Sequence, residues 1–184
     1  MKTAFAYKRT LNSVEFILAV DPAKKTGLAL FRLVGEATRL RVELADAGAV
    51  NSDKLVPYVN KIGDWLTTYG LNEKNTIIAV ETWTFSRNLK TVLGLGRAQQ
   101  RILDALEIIG LDKAPVYLVN ANTWQANILG RNRQTKLHAM HFATMMHPGV
   151  ALTEDVADAI GIGHYMAGLF IAGRRRQQAS RRRK

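Results

Sequence analysis

The stretch VEFILAVDP, residues 14–22, decides the fold of this chain. Its apolar run has the length of a strand and stops at Asp21, which Pro22 follows. A second apolar run, TIIAVE (76–81), stops in the same way at Glu81. Strands that are buried on both faces read as continuous apolar runs, so both segments are predicted to lie inside one sheet. Each of these strands ends in a carboxylate.

The segments between and after these strands predict an α/β protein. Residues 27–33 and 39–50 alternate as half-exposed strands do, which predicts an antiparallel meander with the first strand. A helix is expected over 53–69 with Asp53 as its start cap, and a second from about Asn88 to Ile109. PVYLV (115–119) reads as a further buried strand, parallel to 76–81. The predicted order is βββαβαβα, followed by C-terminal helices.

This order of elements is similar to the ribonuclease H-like fold, a mixed five-stranded sheet flanked by helices. In that arrangement the first and fourth strands lie side by side, so Asp21 and Glu81 would be neighbours. The segment EDVADAIGIG (154–163) adds Asp155 and Asp158, which are three residues apart and therefore share one face of a helix. The small apolar residues around these two acids favour tight packing of that helix against the sheet.

Four carboxylates at one place predict a site for divalent metal ions. Magnesium prefers oxygen ligands, and two ions about 3.5–4 Å apart can activate a water and stabilise a phosphoryl transition state. Four carboxylates would nearly balance two such ions, whereas without metal they repel one another and raise each other's pKa. Taken singly, Asp21 could be a turn residue and Asp155 a helix cap. Together the acids indicate phosphodiester hydrolysis.

Composition and charge agree with a nucleic-acid substrate. The chain has 184 residues, 47% of them apolar, and a net charge of +11. We expect one domain over residues 1–173 and a basic, flexible tail over 174–184, because that tail is rich in arginine. A basic balance favours a polyanionic partner. The chain has no cysteine, so thiolate sites are excluded. The N-terminus does not resemble a signal peptide, and we expect a soluble, cytoplasmic protein that does not bind membranes.

The residues resemble the RuvC-type Holliday junction resolvases of bacteria and their phages. The similarity runs from about Val14 to Gly168 and rests on the order and spacing of several short motifs. These motifs are ILAVDP, four residues and GLAL (17–30); AVE (79–81), with Asn88 seven residues after the acid and then LGLGRA (93–98); ILG (128–130), with Lys136 six residues later; and DVADAIGIG (155–163).

The resemblance implies a homodimer in which two active sites nick opposed strands of a four-way DNA junction. Asp21, Glu81, Asp155 and Asp158 fall on the metal-ligand positions, and Mg²⁺ is the implied cofactor, with two ions per site and Mn²⁺ able to substitute. Lys136 matches the second of two lysines near the scissile phosphate, and its spacing favours this role over that of a solvent-facing charge. The resemblance also allows for a branch-migration motor as a partner, in a bacterial cell or a phage-infected host.

The chain departs from the family pattern at three places. Ala23 replaces a glycine after Asp-Pro, in a turn that is one residue short. Thr84 takes the position of a stacking phenylalanine, so Trp83 or Phe85 is expected to stack on unpaired bases instead, unless they are simply buried. Gln125 replaces the first of two family lysines.

Several further residues are predicted to contact DNA, and others are not expected to take part in the active site. The expected DNA contacts are Trp83, Phe85, Arg87, Asn88, Arg131, Arg133 and Lys136. The histidines at 138 and 141 are expected to be core or surface residues, His147 to end a helix, and His164 to be peripheral to the site. The glycines of LGLGRA indicate close helix packing, either within the chain or at a dimer interface.

The sequence therefore predicts a metal-dependent endonuclease that resolves four-way DNA junctions. Two alternatives stay open. One is a nuclease of the same fold that acts on flaps, forks or RNA-containing duplexes, since fold alone does not determine substrate. The other is a catalytically silent nucleic-acid-binding protein.

Overall fold

A mixed five-stranded sheet forms the centre of the protein. The computed structural model describes residues 13–35, 39–51, 53–82, 89–130 and 136–181. The strands are β1 (Phe16–Asp21), β2 (Lys25–Val34), β3 (Arg41–Asn51), β4 (Thr76–Thr82) and β5 (Val116–Asn120). The helices in the described part are α1 (Val56–Tyr69), α2 (Leu89–Ile108), α3 (Ala121–Ile128), α4 (Lys136–Met146) and α5 (Glu154–Arg181).

The strand order is β3-β2-β1-β4-β5. β1 pairs with β2, and β2 with β3, in antiparallel register, which makes the predicted meander. β4 joins β1 in parallel and β5 joins β4 in parallel. The fold prediction is therefore confirmed, and the first and fourth strands are neighbours as it requires.

Helices cover both faces of the sheet. One face carries α3, α4 and α5 over a core that includes Ile17, Phe31 and Ile77. The other face carries α1 and α2 over Leu18, Leu30 and Ile78. Alternate residues of β1 thus enter different cores, which explains why its sequence is apolar without alternation.

The turn between β1 and β2 is one residue shorter than in the family pattern, and it is formed without backbone strain. Asp21 pairs with Gly27 at the end of the ladder. The Thr26 hydroxyl donates a hydrogen bond to the Ala23 carbonyl at 3.3 Å and also contacts the Tyr58 hydroxyl at 2.5 Å. Among the described residues only glycines have positive φ, so Ala23 needs no glycine-like backbone. The substitution of glycine by alanine is compatible with this turn.

The start of α1 corrects the prediction of an Asp53 cap. The helix begins at Val56 with Leu55 as its N-cap, and no side chain caps it. Pro57 occupies the first turn, where its fixed φ suits the helix and its missing N–H is not needed. The proline therefore sets this helix start in place of an aspartate cap.

The last helix is longer than the sequence pattern predicted. α5 continues to Arg181, so residues 174–181 are helical where a flexible tail was predicted. Arginine, glutamine and alanine are good helix formers, and no proline interrupts them. The Arg174 guanidinium also donates to the Val14 carbonyl, which ties the basic segment to the start of β1.

By length and composition, residues 154–180 of α5 could also cross a membrane, with a mean hydropathy of 1.3 over the best window. That window is 56% buried inside the protein. α5 lies across β1 and β2, so its apolar character is accounted for by packing against the sheet.

Candidate metal and phosphate site

Two acids end adjacent strands at the same edge of the sheet. Val20 of β1 pairs with Val80 of β4 in parallel register, and Asp21 and Glu81 are the next residues on each strand. The side chain of Asp21 is buried, with 8% of the residue exposed. Glu81 is half-buried. The parallel pairing of β1 and β4 therefore places the two carboxylates side by side.

The first turn of α5 brings the other two acids to this edge. The helix begins at Glu154, and the Thr153 hydroxyl accepts a hydrogen bond from the Val156 backbone N–H at 3.3 Å. A Cβ added at Gly27 would lie 1.8 Å from the Asp155 backbone oxygen. Only a residue without a side chain permits this approach of helix to strand. Gly27, the first residue of the GLAL motif, thus sets the position of Asp155.

The four acids act on one another electrostatically. Burial raises the pKa of Asp21 well above its ordinary value, and repulsion from Glu81, Asp158 and Asp155 raises it further. The ammonium of Lys136 opposes this effect. Carboxylates whose charges raise the pKa of Asp21 must lie close to it, in a poorly solvated region. All four predicted acids therefore belong to one electrostatic cluster.

Burial also raises the pKa values of Asp158 and Glu81. Burial raises the pKa of Asp158 to about 7, with Glu81 as the largest repulsive neighbour. Burial also raises the pKa of Glu81, while a hydrogen bond from Trp124 counteracts it. Such perturbed carboxylates are typical of functional sites.

Lys136 lies beside the acids at the start of α4. Its Nζ donates to Glu154 Oε2 at 2.6 Å, and both side chains are more than half exposed. That hydrogen bond is the main reason why the pKa of Lys136 is raised. A cavity of about 440 Å³ opens here, lined by Ala23, Lys24, Lys25, Asn51, Lys136, Glu154 and Asp155. The short turn after Asp21 therefore contributes two lysines that sequence reasoning did not single out.

The donor set suits a hard divalent cation. Four carboxylates supply the oxygen ligands that Mg²⁺ and Mn²⁺ prefer. Within the described residues, no three acids or histidines stand close enough to ligate one ion as they are placed. Glu81 is instead turned toward Trp124, whose indole Nε1 donates to Glu81 Oε2 at 2.6 Å. The chemistry of the residues fits a metal ion, and ligation would draw the carboxylates closer together.

Trp124 is a residue of this site that sequence reasoning missed. It lies in α3 and is completely buried. A single tryptophan in a short helix does not indicate its hydrogen-bond partner, which here is 43 residues away along the chain. Only the requirement that a buried indole N–H find an acceptor could have drawn attention to it.

A pair of histidines forms a second polar contact on this face of the sheet. The Nε2 atoms of His147 and His164 lie 2.8 Å apart. His147 directly follows α4, as expected, but its pairing with His164 was not foreseen. Burial lowers the pKa of both, that of His164 to about 4. Phe31 and Phe142 pack edge-on against His164.

Most of the predicted DNA contacts lie outside the described residues. These are Trp83, Phe85, Arg87, Asn88, Arg131 and Arg133. Their roles stay predictions.

Comparison with known proteins agrees with the motifs. No family model matches the chain. A crossover junction endodeoxyribonuclease RuvC from Maricaulis maris is 27% identical over 150 residues, which are 79% of this chain and 86% of that protein.

Solved structures show the same fold. Thermus thermophilus RuvC in complex with a Holliday junction substrate matches with a TM-score of 0.67 at 16% identity, over 87% of this chain and 97% of that one. A second structure of Thermus thermophilus RuvC matches with a TM-score of 0.61 at 17% identity, over 85% and 95% of the two chains. The chain therefore has the ribonuclease H-like fold, and its predicted resemblance to the RuvC resolvases is confirmed over most of its length.

Proposed function

We propose that this chain is a metal-dependent endonuclease that resolves four-way DNA junctions by paired symmetric nicks. The convergence of Asp21, Glu81, Asp155 and Asp158 on one sheet edge is the observation that carries the proposal. A protein that only binds DNA would gain nothing from four buried or half-buried acids beside a phosphate. The relatives named as RuvC, one of them bound to a Holliday junction, support the choice of substrate.

The four acids would hold Mg²⁺ or Mn²⁺, with two ions per site. Bound ions would supply an activated water nucleophile and neutralise charge that develops on the phosphate. The protein's own contribution is to hold the carboxylates at a fixed edge through the β1 and β4 pairing and the close contact of Gly27 with α5. Mutual repulsion among the acids favours binding of a cation.

The lysine-lined cavity would receive the DNA backbone next to the acids. Lys24, Lys25 and Lys136 supply positive charge around it, and Asn51 supplies an amide. Lys136 now pairs with Glu154. On binding DNA it would exchange this partner for a phosphate oxygen, where its charge would stabilise the transition state. Phosphate contacts of this kind position the substrate without reading its sequence.

A homodimer would place two such sites on one junction. Val116 and Leu118 of β5 pair with Ile78 and Val80, so they lie on the sheet face that α2 covers, yet both are exposed. We call Val116 and Leu118 the β5 apolar surface. Exposed apolar groups at a sheet edge favour association with a second copy.

Gly94 and Gly96 of α2 also leave room for a partner helix. A Cβ added at either glycine would meet no described atom within 4 Å, so contacts within the described part of the chain do not explain them. Packing against a helix of the second copy would. The proposal also includes a cytoplasmic location and a branch-migration motor as a partner.

The test is cleavage of an end-labelled four-way junction with and without Mg²⁺, beside linear duplex, flap, fork and RNA–DNA hybrid. Asp155→Asn is the inactive variant, and Asp64→Asn, an exposed acid of α1, is the matched control. We expect paired nicks confined to the junction, lost in Asp155→Asn and kept in Asp64→Asn. Cleavage of flaps and forks would instead indicate a broader nuclease, and metal-independent binding without cleavage a silent binding protein.

A further inference from the structure

The buried indole of Trp124 holds one oxygen of Glu81. Its Nε1 donates to Glu81 Oε2 at 2.6 Å, a short contact that is typical of hydrogen bonds to charged acceptors. Within the described residues, no hydrogen bond is made to the other carboxylate oxygen of Glu81. The glutamate side chain has three rotatable bonds, and this contact restricts them while it leaves one oxygen available to a ligand.

The indole itself cannot move easily, because it is held between α5 and the end of β4. Trp124 is fully buried in α3. A Cβ added at Gly161 of α5 would lie 2.3 Å from its Cζ3 atom, so the helix that carries Asp158 rests directly on the ring. The start of α3 is fixed by Asn120, whose side chain accepts from the Thr123 N–H. The ring therefore connects α5 to the end of β4.

We propose that Trp124 is a positioning residue that orients Glu81 for metal binding. This inference rests on the proposed function, since it assigns Glu81 to the metal site. Partners that hydrogen-bond to metal ligands fix the ligand's orientation, and their loss typically lowers metal affinity or activity about 10- to 100-fold. Trp124 touches neither metal nor DNA in this scheme and acts only through Glu81.

A second tryptophan provides the internal comparison. Trp65 of α1 is also buried, and its Nε1 donates to Asp46 Oδ2 at the same distance of 2.6 Å. Asp46 accepts from Lys61 and from the Ala47 backbone as well. Asp46 lies on β3, and the acids of the cluster do not include it. The two indoles thus share burial, donor and acceptor type and differ in the site they serve.

The first measurement is a magnesium titration of the ¹⁵N-labelled wild-type protein, following the indole N–H resonances of its three tryptophans. Single Trp→Phe variants assign them. We expect the Trp124 resonance to shift as Mg²⁺ binds and the Trp65 resonance to stay in place. The Trp124 resonance should also move in Glu81→Gln. A Trp124 resonance that stays fixed while Mg²⁺ stabilises the protein would overturn the proposal.

The second measurement compares Trp124→Phe with Trp65→Phe. Both variants lose an indole N–H and part of a buried ring, so both lose stability. Only Trp124→Phe should lower kcat, by about 10- to 100-fold, and raise the Mg²⁺ concentration needed for half-maximal cleavage. Its KM for the junction should change little, because the DNA contacts are intact. Equal kcat losses in both variants would reduce Trp124 to a structural role.

Gly161→Ala is a second variant that tests the same contact if Trp124→Phe does not fold. Its new methyl group must displace the ring while the indole N–H is kept, so the Trp124 resonance and the metal requirement should both change. The NMR titration also separates the two proposals. If no branched DNA is cut but the Trp124 resonance still follows Mg²⁺, the substrate assignment fails and the positioning role stands.

Discussion

Gly27 lies directly against the backbone carbonyl of Asp155. A Cβ built on Gly27 would come within 1.8 Å of that oxygen and 2.3 Å of the carbonyl carbon. Both neighbours are backbone atoms, so no side-chain rotation could relieve the clash. This contact sets how closely α5 approaches β2, and therefore where Asp155 lies relative to Asp21, which pairs with Gly27.

Gly27→Ala should therefore reduce metal-dependent cleavage, because it displaces α5, and Asp155 with it, by a small distance. We expect an overpacking loss of about 3 kcal/mol in the free energy of unfolding, at the upper end of such changes, and a much larger loss of metal-dependent cleavage. Urea unfolding and junction cleavage measure the two effects. Gly168→Ala is the control, because a Cβ there meets open space within α5 and should stabilise the helix by up to about 1 kcal/mol. A fully active Gly27→Ala would contradict the tight contact.

Divalent metal should stabilise the folded protein. Ions that bind only the native state add about 2.7 kcal/mol when their free concentration is 100 times Kd. Mg²⁺ and Mn²⁺ should therefore raise Tm, and chelation should reverse the rise. Asp158→Asn should raise Tm without metal, because it relieves repulsion at a buried carboxylate, and should weaken the metal effect. An equal metal effect in Asp158→Asn would exclude Asp158 as a ligand.

The histidine pair contributes a loss of stability in mild acid, opposite in sign to the gain from protonating Asp21 and Asp158, whose pKa values are raised. The pKa of His164 is lowered from 6.5 to about 4 by burial and by His147, so the folded state favours the neutral ring. The unfolded chain takes up the proton first, and stability is therefore lost as the pH falls from about 6.5 to 4. Over that whole pH range, the shift in the pKa of His164 corresponds to a loss of about 3 kcal/mol in the free energy of unfolding.

His164→Gln should remove this contribution, since glutamine does not titrate, and the variant should therefore be more stable in acid, relative to neutral pH, than the wild type is. Urea unfolding at neutral pH and near pH 5 provides the comparison. His141→Gln, on the exposed side of α4, should keep the pH dependence of the wild type. The same slope in wild type and His164→Gln would show that other groups cause the acid sensitivity.

The β5 apolar surface predicts where the proposed dimer can be broken. Leu118 is 70% exposed and Val116 is 41% exposed. Leu118→Glu and Val116→Glu should each shift the protein toward monomer in sedimentation velocity, because a charge would be buried at the proposed interface. Such monomers should make unpaired nicks. Met145→Glu, equally exposed on α4, should remain dimeric, and a dimeric Leu118→Glu would place the interface elsewhere.

The basic end of α5 predicts a salt-dependent contribution to DNA binding. Arg175 and Arg176 are exposed, whereas Arg174 is half-buried and donates to Val14. Truncation at 174 would thus also remove a structural hydrogen bond, and the double variant Arg175→Gln/Arg176→Gln is the cleaner test. It should weaken junction binding and reduce the salt slope by about 0.9 for each phosphate that is no longer neutralised. Arg41→Gln, at an exposed ion pair of β3, should bind as the wild type does.

Local sequence patterns predicted the strands and the helix that carry the four acids, and the likeness to the ribonuclease H-like fold predicted that the first and fourth strands are neighbours. The apolar runs that end at Asp21 and Glu81 predicted the two strands, and the i to i+3 spacing of Asp155 and Asp158 predicted a shared helix face. Both inferences use short-range periodicity, which depends on backbone geometry alone. The helix start at Val56 was missed because the exact terminal residue of a helix is poorly defined by local sequence. The helical segment 174–181 was missed because its run of arginines is also typical of a flexible tail.

The tertiary structure alone decided which distant residues meet. Trp124 with Glu81, Gly27 with Asp155 and His147 with His164 are contacts between separate elements. Such pairs depend on how closely helices pack on the sheet, and no periodic pattern in the chain encodes that distance. The sequence by itself determined the acids and the strands that carry them, while packing of α3 and α5 on the sheet determined how those acids are held.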